Sequence, residues 1–209
     1  AGSIAIDEAH FPDKVFREQI IAEFDKDGDS VLSVDEISKA QFLNLHDMKT
    51  ISSLEGIQYL TNLQSLDVST TSVSDLSPVK NSSLKRLDCR SSKVRSVDLT
   101  RYPNLEAFVC DNTSINSLDV SKNEKLNTLF ADSTSISNLD VTNNPNLEQL
   151  SCSNTGLMEL DVTHNPQLVT LDIGDTKVKT LDISKNPNLK QLSCYMTNIA
   201  ELDVTKTQN

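Results

Sequence analysis

Acidic side chains recur at alternate positions in a short polar segment near the start of the chain, FDKDGDSVLSVDEI (Phe24–Ile37). Counted from Asp25, carboxylates stand at the first, third, fifth and twelfth positions, a backbone carbonyl at the seventh and a hydroxyl at the ninth. These residues are Asp25, Asp27, Asp29, Val31, Ser33 and Glu36. This spacing of oxygen ligands along a loop is typical of an EF-hand calcium site. Without a cation, the converging carboxylates would repel one another strongly. The segment therefore predicts a calcium site.

The loop departs from the usual EF-hand plan at its sixth position, where Ser30 replaces glycine. The left-handed backbone needed there costs a residue with a side chain about 1–2 kcal/mol. EF-hand loops usually occur in pairs, and this chain has a single one. We therefore expect weak to moderate affinity, with a dissociation constant on the order of 0.1–1 mM. The alternative is an Asp-rich turn that binds no ion.

A leucine recurs every 21 residues along the rest of the chain, at Leu63, Leu84, Leu105, Leu126, Leu147, Leu168 and Leu189. The segment LEQLSCSNTGLMELDVTHNPQ (Leu147–Gln167) is one full row, and each row opens Leu-x-x-Leu-x-Cys/Val/Ala/Ile. That alternation is typical of a short strand, whose inward face is buried only when rows stack. The period predicts a leucine-rich-repeat solenoid of parallel β-strands in 21-residue coils.

All four cysteines occupy the sixth position of a row, which valine, alanine or isoleucine fills in the other rows. The cysteines are Cys89, Cys110, Cys152 and Cys194. A position shared with aliphatic residues predicts buried free thiols that act as small apolar side chains. A disulfide between Cys89 and Cys110, in adjacent rows, is the alternative.

These rows resemble the internalin branch of bacterial leucine-rich-repeat proteins, most closely the internalin J type, which has 21-residue repeats and a cysteine column. The resemblance covers SLEGIQYLTNLQSLDV (Ser53–Val68) and the six rows after it. It implies a surface-displayed adhesin that binds a host protein on a concave face. One column differs, because the family's Asn is replaced here by Thr71, Ser92, Thr113, Thr134, Thr155, Thr176 and Thr197. A hydroxyl also bonds to turn backbone, so we expect the fold to survive.

Two helices are predicted around the acidic loop. HFPDKVFREQIIAEF (His10–Phe24) has apolar residues at helical spacing, with Pro12 in its first turn. SVDEISKAQF begins at Ser33, which forms a capping box with Glu36. Since the first coil of a solenoid must be covered, we interpret residues 1–41 as a small α-helical cap. Residues 42–62 then form a transition coil, and residues 63–209 form seven repeats.

Composition and charge disfavour several classes of function. The net charge of −11 argues against nucleic acid and anionic membrane as partners, and no apolar run is long enough for a transmembrane segment. The N-terminus AGSIAIDEAHFPD lacks the charged and apolar regions of a signal peptide. The histidines are dispersed, and the aspartates at Asp98, Asp119, Asp140, Asp161, Asp182 and Asp203 are a repeat feature. We therefore expect that the chain is not an enzyme.

The outward positions of the strands are mostly small or acidic, with Phe130 beside Val109 as the exception. An exposed aromatic residue on an open sheet is a candidate anchor for a protein partner. The alternative is a pair that covers the sheet locally. The predicted partner-binding residues are Val109, Phe130, Tyr195, Asp88, Arg90 and Asp132.

The leading hypothesis is a binding module, secreted or attached to the bacterial surface, for a host or microbial protein. A structural spacer or biofilm matrix module without its own ligand is one alternative, and a calcium-responsive sensor is another. The last row, Leu189–Asn209, keeps the full repeat pattern instead of the polar face of a terminal repeat. We therefore expect the native chain to continue, and we expect the open edge of this row to allow end-to-end self-association.

Overall fold

The computed structural model describes residues 2–203, with Asp203 described by its backbone alone. The cap consists of β1 (Ile4–Ala5), α1 (Lys14–Phe24), β2 (Val31–Leu32) and α2 (Val34–Lys39). Eight parallel strands form one long sheet: β3 (Phe42–Asn44), β4 (Ser65–Asp67), β5 (Arg86–Asp88), β6 (Ala107–Val109), β7 (Thr128–Phe130), β8 (Gln149–Ser151), β9 (Thr170–Asp172) and β11 (Gln191–Ser193). On another side, β10 (Leu181–Asp182) pairs in parallel with β12 (Leu202–Asp203). This is the predicted leucine-rich-repeat solenoid with a small helical cap.

The strand register follows the repeat. Leu87 pairs with Phe108, and Leu129 with Leu150, one row apart in each case. The segment predicted as a transition coil also contributes a strand, since β3 pairs with β4 through Leu43 and Leu66. The coil before the seven rows therefore begins at Ala40, which takes the row position of Leu63, and the sheet has one strand more than the seven rows.

The core is a continuous column of side chains at the first, fourth and sixth positions of the rows. In the row from Leu147, the side chains of Leu147, Leu150 and Cys152 have no solvent exposure. The four cysteines are free, and burial raises the pKa of the Cys89, Cys110 and Cys152 thiols. Cys89, Cys110 and Cys152 thus pack as predicted, Cys194 is only partly buried, and no disulfide joins Cys89 to Cys110.

The hydroxyl column bonds to the backbone as expected. Thr155 Oγ1 donates to the carbonyl of Cys152 over 2.8 Å, and Thr113 bonds likewise to Cys110. The same bond recurs from Thr71, Ser92, Thr134, Thr176 and Thr197 to the carbonyl three residues earlier. One hydroxyl in each row therefore closes the turn after the strand.

A second polar column is buried at the opposite turn of the coil. Asn144 Nδ2 donates to the carbonyls of Val120 and Asn123, over 3.0 and 2.9 Å. The buried members of this column are Asn81, Asn123, Asn144, Asn165 and Asn186. Each amide links its coil to the preceding part of the chain, so these asparagines are structural and are not merely turn residues.

The cap is joined to the first coil by one carboxylate. Asp13 caps α1 by accepting from the Phe16 N–H, and its second oxygen accepts from the N–H groups of Ser52 and Ser53. The helix begins after Pro12, which differs from the predicted start at His10, because the Asp13 side chain supplies the cap. Gly56 lies directly under the cap, where a Cβ would approach the Phe11 ring to 2.3 Å.

Candidate functional site

The acidic loop of the cap brings three carboxylates together. One oxygen from each of Asp25, Asp27 and Asp29 lies within 4.8 Å of the others. Asp25 also accepts from the N–H groups of Gly28, Asp29 and Ser30, over 2.9–3.2 Å. The side chain of Asp25 therefore organises the turn on which the other two carboxylates are placed.

The backbone of the turn adopts the left-handed conformation that the sequence predicts to be costly at Ser30. Ser30 has φ of 62°, in the left-handed region, and Gly28 has φ of 74°. After the turn, β2 pairs antiparallel with β1, with Leu32 opposite Ile4. The Ile6 N–H donates to the Ser30 carbonyl over 2.9 Å. The N-terminal segment thus pairs with the backbone of the loop and holds it in place.

Glu36 does not belong to the three-carboxylate cluster. Its Oε1 accepts from the Lys26 N–H over 2.7 Å and its Oε2 from the Ser33 N–H over 2.9 Å, which completes the predicted capping box. The backbone hydrogen bond from Ser33, and then that from Lys26, lower the pKa of Glu36. Glu36 therefore connects the two ends of the loop as an ionised carboxylate.

The charges of the loop act on one another. The N–H of Asp29 donates to Asp27 and lowers its pKa, but burial and the charges of Asp29 and Glu36 outweigh this bond and raise the pKa overall. A divalent cation would remove that repulsion. The oxygen donors of Asp25, Asp27 and Asp29, with the Val31 carbonyl and the Ser33 hydroxyl nearby in sequence, are the type that calcium prefers.

The outer face of the long sheet, formed by the third, fifth and seventh positions of each row, carries the predicted partner-binding residues. Phe130 is partly exposed there, while Phe108 and Leu129 are fully buried on the inner face. Val109 and Asp88 also lie on the outer face, but they are only 2% and 0% exposed. We predicted both as residues of an exposed face; they do lie on that face, but the structure buries them.

The covering of Asp88 involves two arginines. Arg90 Nη2 lies 2.9 Å and Arg86 Nη2 lies 3.5 Å from Asp88 Oδ2, although neither approaches in the direction of a hydrogen bond. Burial raises the pKa of Asp88, and the charges of Arg90 and Arg86 oppose that rise. Arg90, predicted as a contact residue, therefore has a partner within the chain.

Asp132 and Asp111 lie side by side on the same face. Asp132 Oδ1 accepts from the Ser151 hydroxyl over 2.6 Å and from the Ser153 N–H over 2.8 Å. Asp111 Oδ1 accepts from the Asp132 N–H over 2.8 Å. These hydrogen bonds fix the orientation of both carboxylates on the outer face.

Two further aromatic side chains are exposed on the outer face. Tyr195 is 59% exposed, and its ring lies over Gly174, where a Cβ would come within 2.3 Å of it. Phe42, 67% exposed in β3, was missed because we assigned it to the end of the second cap helix. That helix ends at Lys39. The signal in the sequence was the buried triplet Ala40, Leu43 and Leu45, which repeats the row pattern.

One contact on this face contains the residue types of a hydrolase site. The His46 ring lies 2.8 Å from the Ser69 hydroxyl, and that hydroxyl donates to Asp67. A nucleophilic serine must be accessible and must donate to its base, whereas Ser69 is fully buried and donates to the carboxylate. The three residues therefore form a structural hydrogen-bond chain.

The fold is that of a bacterial leucine-rich-repeat solenoid of the internalin kind. Internalin C2 from Listeria monocytogenes superposes with a TM-score of 0.90 at 21% identity, over 100% of this chain and 95% of that chain. The internalin InlF from the same species gives 0.63 at 19% identity, over 98% of this chain and 75% of that chain. At these identities the likeness shows the fold.

The functional domain of InlJ from Listeria monocytogenes, which includes a cysteine ladder, gives a TM-score of 0.50 at 24% identity. The match covers 98% of this chain and 59% of that chain. No protein-family model matches the chain, and no curated protein matches its sequence. Among residues 2–203, no helix is both long and apolar enough to cross a membrane.

Proposed function

We propose that this chain is a protein-binding module, secreted or attached to the bacterial surface, which holds a host or microbial protein against the outer face of its long sheet. The observation that carries the proposal is the partial exposure of Phe130 on this face, while Leu129 beside it already fills the core. Partly exposed aromatic side chains on an otherwise polar surface are the usual anchors of protein interfaces.

Two other features support this assignment. Tyr195 and Phe42 extend the aromatic surface toward the two ends of the same face. The structural neighbours are internalins, bacterial proteins built on the same solenoid. The secreted or surface-attached location rests on that likeness.

The test is capture of surface proteins by the purified chain and by Phe130→Ala. Met158→Ala is the matched control, because Met158 is also an exposed apolar side chain but lies outside the strands of the long sheet. We expect Phe130→Ala to lose the captured protein and Met158→Ala to retain it. Equal capture by all three proteins, or none by the wild type, would favour the structural spacer or biofilm matrix module.

We also propose that the cap loop binds calcium through Asp25, Asp27 and Asp29. The convergence of these carboxylates, and the unfavourable charge on Asp27, support this assignment. The ion would supply positive charge at the turn, while Glu36 and the pairing of β1 with β2 hold the loop in place. Because the cap is already bonded to the first coil through Asp13, we expect stabilisation and not the conformational switch of a calcium-responsive sensor.

End-to-end association is a further property that we propose for this chain. The apolar side chains of the last coil are only partly buried, whereas their equivalents one coil earlier, Leu171 and Ile173, are fully buried. Those partly buried residues are Leu189, Leu192, Cys194, Ile199 and Leu202. The final position predicted for this edge, Val204, lies outside the described residues.

A further inference from the structure

Phe130 is flanked on the outer face by two carboxylates. Asp132 follows Phe130 by two residues with the buried Ala131 between them, so both side chains lie on the same face. Asp111 occupies the matching position of the preceding coil and accepts from the Asp132 N–H. We call Val109, Asp111, Phe130 and Asp132 the acidic–aromatic patch.

The patch lacks an ion pair of the kind that the neighbouring carboxylate makes, although the charge of Arg90, one coil earlier, also acts on Asp111. Asp88, one coil before Asp111, has Arg86 and Arg90 within 3.5 Å. Within residues 2–203, no lysine, arginine or histidine forms an ion pair with Asp111 or Asp132. The protein therefore pairs one acidic side chain of this face with two arginines and leaves the next two, within the described residues, without an ion pair of their own.

The environment of these two carboxylates favours an external cation. Burial raises the pKa of Asp111, the hydrogen bond from the Asp132 N–H lowers it, and the charge of Asp132 raises it. The charge of Arg90 opposes this rise, but the pKa is raised overall. A cation placed between the two carboxylates would offset their mutual repulsion. Phe130 adds an aromatic ring, which attracts a cation to its face and accommodates the apolar stem of a lysine or arginine.

We propose that the partner is a protein that places a lysine or arginine side chain on the acidic–aromatic patch. This inference rests on the proposed function and names the chemistry that the outer face recognises. The stem packs on Phe130, and the charged end donates to Asp111 and Asp132, since charge-assisted hydrogen bonds are the stronger kind. The net charge of −11 adds long-range attraction for such a partner.

The probe is a fluorescent extended peptide of alternating lysine and threonine, with the same peptide acetylated on every lysine as the neutral counterpart. Binding is measured by anisotropy at low and at high salt. The variants are Asp111→Asn, Asp132→Asn and Phe130→Ala. Asparagine retains the acceptor oxygen that each aspartate uses toward Asp132, Ser151 or Ser153, so these variants keep the local fold.

The control for net charge is Asp140→Asn. Asp140 bonds to Thr142 in the same manner and belongs to the aspartate column outside the long sheet. We expect each patch variant to weaken binding of the lysine peptide at least about fivefold, the equivalent of about 1 kcal/mol. Asp140→Asn should bind like the wild type, and the acetylated peptide should not bind.

Two results would overturn the inference: equal binding of both peptides, or equal losses in Asp140→Asn and the patch variants, which indicate unspecific attraction to an acidic protein. Absence of lysine-peptide binding to the wild type also overturns it. The proposed function fails separately. If captured surface proteins are lost with Phe130→Ala but retained with Asp111→Asn and Asp132→Asn, the face binds a partner whose recognition is not cationic.

Discussion

The solenoid and the cap satisfy the polar groups of their turns with side chains of opposite character. In the solenoid the two buried polar columns are neutral: Asn144 and Thr155 donate to backbone carbonyls, and their columns repeat this in the other coils. Asp88 is a buried carboxylate there, and it lies beside two arginines. In the cap the partners are carboxylates that accept from backbone N–H groups, as Asp25 and Glu36 do. The cap thereby concentrates negative charge in one turn.

The solenoid also has a column of carboxylates outside the long sheet, with one aspartate in each coil from Asp98 onward. Asp140 and Asp161 lie in different coils, and each accepts from the hydroxyl and N–H of the residue two positions later. The hydroxyl bond is the main cause that lowers the pKa of both. In the cap, Asp27 has two acidic neighbours and its pKa is raised. The comparison predicts that ions and pH affect the cap and leave the solenoid core unchanged.

The largest expected effect comes from the apolar column. Leu150 is fully buried between coils, so Leu150→Ala should lower the free energy of unfolding by about 2–5 kcal/mol through lost burial and a cavity. Denaturant unfolding measures this, with Gln149→Ala as the exposed control in the same strand. Similar losses in both variants would mean that the strand does not face the core as described.

The asparagine column gives the next effect. Asn144→Ala removes two hydrogen bonds to the carbonyls of Val120 and Asn123, and we expect a loss of about 1–3 kcal/mol. Asn143 is its exposed neighbour, and Asn143→Ala should change stability by less than about 0.5 kcal/mol. The loss should not depend on calcium. A calcium-dependent loss would remove the distinction between cap and solenoid.

The solenoid could be predicted from the sequence, but the burial of its asparagine column could not. The solenoid followed from the leucine spacing, because stacked rows must place the same residue types at the same depth. The burial of the asparagine column was not predicted, because asparagine is equally common in exposed turns. Only the coil geometry brings Asn144 to the carbonyl of Val120. Periodicity reports which residues share a column, but it does not report whether a polar column is buried.

The candidate sites were predictable to different degrees. The acidic loop has a local spacing rule, so Asp25, Asp27 and Asp29 were found from sequence, and the structure brings them together. The burial of Val109 and Asp88 depends on how side chains pack in the folded coils, and the alternating pattern of a row does not predict it. The pairing of β1 with β2 involves two residues from each strand, which is too short for an alternating pattern.

Calcium binding should have an effect of intermediate size, and this effect should arise in the cap. At ten times its dissociation constant, an ion bound only to the native state adds about 1.4 kcal/mol. Thermal unfolding in millimolar calcium should therefore occur at a higher temperature than in chelator, with equal circular dichroism spectra. Asp27→Asn should abolish the shift, while Asp175→Asn, an equal charge change in the solenoid, should keep it. An unchanged melting temperature refutes the calcium site, and a large spectral change indicates a sensor.

The calcium effect should also depend on pH in one direction. The carboxylate of Asp27 binds the ion only when ionised, and its pKa is raised above the ordinary value. Calcium stabilisation should therefore be complete at neutral pH and decline as the pH falls through that raised pKa. Melting curves with and without calcium at a series of pH values measure the decline. A calcium shift that persists unchanged to strongly acidic pH would mean that other groups bind the ion.

The smallest expected effect is the loss of stability in Phe130→Ala, which is compared with Phe108→Ala, the same residue type on the inner face of the long sheet. Phe108 is fully buried on the inner face, and Phe108→Ala should cost about 3–5 kcal/mol. Phe130 is partly exposed on the outer face, and Phe130→Ala should cost less than about 1 kcal/mol, because it opens no cavity and only uncovers part of Val109. Unfolding of the two variants in parallel measures the difference. A comparable loss in both would mean that Phe130 supports the fold, and its partial exposure would then no longer argue for a binding surface.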